Sequence, residues 1–186
     1  MNETLQTIRQ RRSIRKFKSE QVPDAVIETI LEAGRLAPCA LNRQERHFTV
    51  VRSKKILDFL NREAKAFAVS LNNRFLSLMA QSENYNIFHA APLIVVVSGP
   101  ANRSMVESDC AASIQNMLLA AESLRIGACW INFVLYAFHG ANAIENAAKL
   151  GLPAGYLPYG SIAVGFKDDE PVEERAIKGN TVNYLG

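Results

Sequence analysis

The sequence predicts a sandwich of helices and a β-sheet, of class α/β or α+β, and three observations carry that prediction. Leu93 to Ser98 is a β-branched run between Pro92 and Gly99, without apolar alternation, which is typical of a strand covered on both faces. Met105 to Leu124 is apolar almost all round, so this helix must be buried. The length of 186 residues suits one domain spanning residues 1–186.

The first half of the chain is mainly helical by its apolar spacing. A helix after Pro23 is marked by that proline in its first turn, by Asp24 near its positive end and by Pro38 beyond its last turn. In order, we expect a helix over Glu3–Gln10, a helix over Pro23–Leu36, a strand over His47–Val51, a helix over Lys54–Arg62, and mostly helix over 64–88 with a looser stretch at 82–86.

The second half adds another helix and a last strand. Gly127 to Asn132 follows the buried helix and allows two interpretations: small residues that let a ligand approach the backbone, or a helix end with Trp130 in the core. We expect a helix over Ala141–Leu150, a strand over Tyr159–Phe166, and an extended polar arm in the last twenty residues.

Composition excludes several classes of protein. Hydrophobic residues make up 48% of the chain and charged residues 21%, which is typical of a globular protein and not of a disordered or fibrous one. No apolar stretch is long enough to cross a bilayer, and residues 1–10 lack the apolar core of a secretory signal. We therefore expect a soluble, cytoplasmic protein without a membrane partner.

The cysteines and histidines are too widely scattered for a disulfide framework or a metal site. We expect the cysteines to be small, mostly buried apolar residues, and the histidines to be structural. They are Cys39, Cys110, Cys129, His47, His89 and His139.

The net charge of +3 conceals an uneven distribution. Residues 9–18 hold six of the 21 lysines and arginines and no acid, so the remainder carries 15 positive against 18 negative charges. One basic segment on a slightly acidic body indicates a local anion site rather than a broad polyanion-binding surface.

Within this segment, Arg11, Ser13 and Arg15 would face the same way on an extended backbone. Two guanidinium groups and a hydroxyl are suitable donors for a phosphate and a polar ring. A solvated basic surface or a nucleic-acid contact is an equally good interpretation of this segment alone.

A polar turn follows the second helix. Asn42 and Gln44 each offer an amide donor and an acceptor, and together they could bind the imide edge of a flat heterocycle. Taken singly, such residues more often satisfy their own loop.

In their order along the chain, these segments resemble the flavin-dependent nitroreductase family. Arg11 to Arg15 is similar to the family's Arg-x-Ser-x-Arg/Lys motif, and Pro38 to Gln44 to its Pro-Ser-x-x-Asn-x-Gln turn. Ser113 to Leu118 resembles part of the family's central helix, Gly127 to Trp130 the segment after it, and Ala163 to Phe166 its closing strand.

The resemblance implies an α+β fold with a mixed sheet flanked by helices, in an intertwined homodimer that holds two FMN molecules at the subunit interface. In this family, residues of the basic segment and a later arginine hold the phosphate, ribityl chain and pyrimidine end. The turn reaches the flavin from the partner subunit, and backbone after the central helix lies beside the ring. The implied cofactor residues are Arg11, Arg12, Ser13, Arg15, Arg175, Cys39, Asn42, Gln44, Trp130, Ile131 and Asn132.

The implied activity is electron transfer from NAD(P)H to a nitroaromatic, a quinone or a related small-molecule acceptor, by a ping-pong mechanism. The flavin carries the chemistry, with Arg15 as an electrostatic stabiliser of negative charge on the reduced ring. No side chain is assigned as an acid or base.

The sequence departs from the family motif in two places. Cys39 replaces the usual serine, and Glu45 with Arg46 replaces a proline and an aromatic residue, which predicts a more polar rim.

Two rival functions accompany this interpretation. A non-catalytic flavin carrier or sensor would share the fold. A nucleic-acid module using residues 9–18 ranks last, because the rest of the chain is not basic.

Overall fold

A computed structural model describes residues 2–168, 179 and 182–185. Within them, four strands form one antiparallel sheet in the order β1-β2-β4-β3, so the parallel pairing implied by a mixed sheet is not among the described strands. An antiparallel sheet with helices on its faces is an α+β arrangement. The strands are β1 (His47–Val51), β2 (Leu93–Pro100), β3 (Gly127–Ile131) and β4 (Tyr156–Gly165).

Helices cover both faces of this sheet. α2 and α5 pack with one face, and α3 packs on the other with a 3₁₀ segment, Phe133–Phe138. The described helices are α1 (Glu3–Gln10), α2 (Asp24–Arg35), α3 (Lys54–Ser70), α4 (Arg74–Gln81), α5 (Val106–Ser123) and α6 (Ala143–Lys149), with a second 3₁₀ segment at Ala40–Asn42.

The central strand β2 is covered on both faces, as predicted from its lack of alternation. Val95 and Val97 pack with α2 and α5, whereas Ile94 and Val96 pack into the core on the opposite face, and all four are fully buried. Because successive side chains of a strand point to opposite faces, an unbroken β-branched run is the pattern that two apolar layers require.

The apolar helix α5 is central, and it buries one face completely. Cys110, Ile114 and Met117 are fully buried between α2 and the sheet. α2 approaches closely at Gly34, where an added Cβ would lie 2.9 Å from Cγ of Met117. The opposite face, including Ala112 and Leu119, stays half-buried in one chain.

Most predicted elements are found, and the differences have physical causes. The predicted strand Tyr159–Phe166 begins three residues earlier, because a register shift between Val97 and Ser98 of β2 accommodates Pro158, which has no N–H for the ladder. The predicted helix over 64–88 is divided into the end of α3, α4 and turns from residue 82. Most of the predicted polar arm lies outside the described residues.

The helix-end interpretation of Gly127–Asn132 is wrong. Residues Gly127–Ile131 form the edge strand β3, and Trp130 is half-buried rather than in the core. β3 and β1 are therefore the two edges of the sheet, separated by β2 and β4, which places them about 14 Å apart by the ordinary strand spacing.

Candidate functional site

The basic segment runs beside the start of β3. The Ile14 N–H donates to the Ala128 carbonyl over 3.0 Å, and Ile14 is 4% exposed, packed over Gly127. Because alternate residues of an extended chain point in opposite directions, burial of Ile14 turns Ser13 and Arg15 outward, and both are exposed. Of the three residues predicted to share this face, Ser13 and Arg15 are exposed together, whereas Arg11 is half-buried.

Arg11 and Arg12 are half-buried and follow the last turn of α1. Nη1 of Arg12 donates to the carbonyls of Arg9 at 2.7 Å, Gln10 at 3.3 Å and Arg11 at 3.1 Å. These carbonyls lack donors within the helix, so Arg12 stabilises the turn from which the segment departs. Arg11 donates its backbone N–H to the Thr7 carbonyl.

The positive charge of Arg15 affects the pKa of three titratable side chains that the sequence does not predict to lie near it. Burial raises the pKa of Tyr85 and of the Cys129 thiol, and the positive charge of Arg15 opposes both shifts. Burial lowers the pKa of His89, and the charge of Arg15 lowers it further. The Tyr85 and His89 rings meet edge to face with centroids 6.3 Å apart. We name Tyr85, His89 and Cys129 the Arg15 group.

Ser13 contributes to the same site. Burial raises the pKa of the Cys129 thiol, and the hydroxyl of Ser13 opposes that shift after the larger effect of the Arg15 charge. The Ser13 carbonyl accepts from Nη1 of Arg15 at 3.5 Å, the only hydrogen bond of the Arg15 side chain found within the described residues. A guanidinium with one long, weak bond keeps most of its donors available for an anion.

At the far end of β3, Trp130 and Asn132 form a pair. The Trp130 indole Nε1 donates to Oδ1 of Asn132 over 2.6 Å. Gly160 of β4 lies beneath them, where an added Cβ would come within 3.1 Å of that nitrogen. Ile131 between them is buried, and its carbonyl accepts from the Ser161 hydroxyl at 2.9 Å.

The polar turn, Pro38–Gln44, presents its two amides to solvent. Nε2 of Gln44 donates to Oδ1 of Asn42 over 2.9 Å, and both residues are exposed. The Gln44 backbone N–H donates to the thiol sulfur of half-buried Cys39 at 3.3 Å. We call this segment the amide turn.

The sequence predicts that Glu45 and Arg46 form a polar rim, and this prediction is wrong for Arg46. Its guanidinium points inward and donates to three backbone carbonyls and to the hydroxyl of Ser113. Glu45 is half-buried and pairs with Arg103 at 3.6 Å. The sequence reasoning missed Arg46 because its partners lie up to 67 residues away.

One chain brings together only part of the predicted cofactor set. Ser13 and Arg15 lie along β3, and Trp130, Ile131 and Asn132 complete that edge. The amide turn leads into β1 at the opposite edge. Arg175 lies outside the described residues.

In the described part of the chain, no group of three or more histidine, cysteine or acidic side chains is placed to hold a metal ion. Among residues 2–168, 179 and 182–185, no helix has both the length and the apolar character needed to span a membrane.

Comparison with known proteins gives a consistent result. The family model described as the Nitroreductase family matches residues 8–166. A crystal structure of a nitroreductase with bound FMN from Bacteroides fragilis is 33% identical, with a TM-score of 0.93 and all of both chains covered. A second nitroreductase with bound FMN, from Desulfitobacterium hafniense, is 28% identical with a TM-score of 0.89 and the same coverage.

A curated relative agrees. A protein of Archaeoglobus fulgidus, provisionally named an NADH dehydrogenase/NAD(P)H nitroreductase, is 34% identical over 179 residues, covering 91% of this chain and 88% of the relative. The antiparallel sheet between helical layers, with a basic segment along one edge, is an α+β fold shared with these FMN-bound nitroreductases. The chain belongs to the nitroreductase family, as the sequence resemblance predicted.

Proposed function

We propose that this protein is an FMN-dependent oxidoreductase that passes electrons from NAD(P)H to a nitroaromatic, a quinone or a related small-molecule acceptor. The observation that carries the proposal is the match over the full chain to a nitroreductase with bound FMN, with a TM-score of 0.93. The names of the relatives favour a nicotinamide donor.

The residues present have the chemistry that FMN requires. An anionic phosphate and polar ribityl chain are matched by Ser13, Arg15 and the half-buried Arg11. The exposed amides of Asn42 and Gln44 match the alternating donors and acceptors of a flavin ring edge. Arg12, Trp130, Ile131, Asn132, Cys39 and Arg175 remain proposed members of the site.

A homodimer would unite the two halves of this set. In one chain β2 and β4 separate the edge that carries Arg15 from the edge that carries the amide turn. A second copy, related by a two-fold axis, can place its amide turn against the first copy's basic segment. The half-buried apolar face of α5 and the exposed Leu5 and Ile8 of α1 offer surface for that contact.

Each residue then has a defined task. When bound, FMN supplies the acceptance and donation of hydride. Arg15 keeps a fixed positive charge at the site, which favours an anionic ligand and opposes protonation of nearby His89. Because donor and acceptor would occupy the same open face in turn, we expect ping-pong kinetics.

The visible spectrum of the purified protein, before and after anaerobic NADH or NADPH, tests the proposal. We expect a yellow protein whose absorbance is bleached by the donor and restored by a quinone or a nitroaromatic. Bound flavin with negligible turnover would favour a carrier or sensor instead. A protein that neither contains nor takes up FMN contradicts the proposal.

A further inference from the structure

The amide turn contains three residues in an unfavourable backbone conformation. Leu41, Asn42 and Gln44 have φ values of 54°, 52° and 53°. This left-handed region is unfavourable for residues other than glycine, least so for asparagine, and persists where the surroundings enforce it. Hydrogen bonds within the turn, from Gln44 to Asn42 and Cys39, hold part of this shape, and residues outside the turn add further contacts.

Arg46 supplies the first of these contacts. Its Nη1 donates to the Ala37 carbonyl at 2.9 Å and the Pro38 carbonyl at 3.3 Å, and its Nη2 to the Arg35 carbonyl at 3.1 Å. These are carbonyls at and just beyond the end of α2, where intrahelical donors are missing. The guanidinium therefore fixes the point at which the amide turn leaves the helix.

α5 supplies the second contact. Nη1 of Arg46 also donates to Oγ of Ser113 at 3.0 Å, and the buried Ser113 hydroxyl donates to the Asp109 carbonyl at 3.1 Å. Oδ1 of Asp109 accepts the Ala40 N–H at 2.9 Å. One turn of α5 thus holds the amide turn from within, directly through Asp109 and indirectly through Arg46.

We propose that Arg46 is a positioning residue that presents Asn42 and Gln44 to the flavin. This inference rests on the proposed function, because it assigns the amide turn to the FMN site. The guanidinium reaches these four acceptors from two nitrogens in one plane, with a hydrogen of Nη1 shared between two of them, whereas the three hydrogens of a lysine ammonium diverge from a single atom. Loss of the guanidinium allows the turn to sample other conformations, and binding must then order it again.

The test compares three variants of the full-length protein. Arg46→Met removes the guanidinium, and Arg46→Lys keeps the charge without the planar fork. Arg74→Met is the matched control, because it removes the same charge from α4, outside the amide turn and the basic segment. The Arg74 side chain is exposed and makes no hydrogen bond to the described residues.

The readouts are the FMN dissociation constant and the visible circular dichroism of bound FMN. We expect Arg46→Met to weaken FMN binding by about tenfold or more and Arg46→Lys by an intermediate factor, as loss of several charge-assisted bonds implies. Arg74→Met should stay within about twofold of wild type, as expected of an exposed charge. The visible circular dichroism reports the surroundings of the flavin ring. We therefore expect a larger change in Arg46→Met than in the control.

The outcomes separate this inference from the proposed function. A folded Arg46→Met protein with unchanged affinity and circular dichroism overturns the role of Arg46 while FMN binding by wild type stands. If Arg46→Met does not fold, Arg46→Lys and Ser113→Ala decide by the same measurements. Wild-type protein that binds no FMN overturns both proposals.

Discussion

Arg15 carries an exposed positive charge next to the half-buried ring of His89. Burial of the ring lowers the pKa of His89, and the charge of Arg15 lowers it further. The unfolded chain therefore binds a proton at this histidine more readily than the folded chain. Its neutral form favours the fold fully above the unfolded pKa of 6.5, and that contribution is lost as the pH falls below this value.

We predict that His89→Gln reduces the loss of stability on acidification from pH 8 to pH 5.5. The effect should be less than about 1 kcal/mol, because the ring is half-exposed and solvent screens its charge. Urea unfolding of both proteins at each pH measures it. The difference at pH 8 reports packing alone, so equal pH dependence of the two proteins would contradict the prediction.

The three cysteines should react at very different rates. Cys110 is fully buried, and burial raises its pKa to about 12, while Cys129 is 2% exposed with a raised pKa. Cys39 is half-buried on the amide turn. Since only an accessible thiolate attacks a disulfide reagent, native protein should show one fast thiol per chain, at least about a hundredfold faster than the others.

The time course of the reaction with an aromatic disulfide reagent at pH 8 gives the number of thiols that react in each phase. Cys39→Ser should remove the fast phase, and urea should expose the remaining two. A fast phase that survives in Cys39→Ser would show that a cysteine other than Cys39 is reactive.

At the scale of the elements, the sheet and the site meet at Gly160. A Cβ on this residue would lie 2.6 Å from Cδ1 of Ile114 and 3.1 Å from Nε1 of Trp130. The glycine thus permits α5 and the Trp130–Asn132 pair to lie on the same point of β4. A larger side chain at position 160 should therefore displace both the core packing at Ile114 and the indole of Trp130.

We predict that Gly160→Ala lowers the free energy of unfolding by about 1–3 kcal/mol, which is the usual effect of overpacking. It should also shift the fluorescence of Trp130, the only tryptophan, by displacing its bond to Asn132. Gly151→Ala is the control, because it meets no atom within 4 Å, although its φ of +71° carries a backbone strain of about 1 kcal/mol. Matching fluorescence changes in the two variants would refute the role given to Gly160.

Local signals in the sequence were sufficient for some elements and not for others. The bounds of α1 and β1 are predicted correctly, since Asn2 caps α1 and a short apolar, branched run marks β1. β3 was missed because Gly-Ala-Cys has little strand preference of its own, and its pairing with β4 makes it a strand. The direction of Arg46 and the surroundings of Arg15 depend on packing between distant segments, which periodicity does not contain.

For the whole molecule, the separation of Arg15 from the amide turn gives the most specific test of the proposed dimer. A site assembled from two subunits needs Arg15 from one copy and Gln44 from the other. Arg15→Gln and Gln44→Ala should each weaken FMN binding in every site of their own homodimer. A heterodimer of the two variants, however, has one site with both substitutions and one with neither.

The two variants, Arg15→Gln and Gln44→Ala, are mixed in equal amounts, and their subunits are exchanged by mild denaturation and refolding. Random pairing makes half of the dimers heterodimers, each with one intact site. We therefore predict that tight FMN binding returns to about a quarter of all sites. Each variant taken alone through the same procedure is the control. Titration of FMN at a concentration between the wild-type and variant dissociation constants measures the restored fraction. A site built within a single chain would show no restoration, because neither variant then contributes an intact copy of both residues.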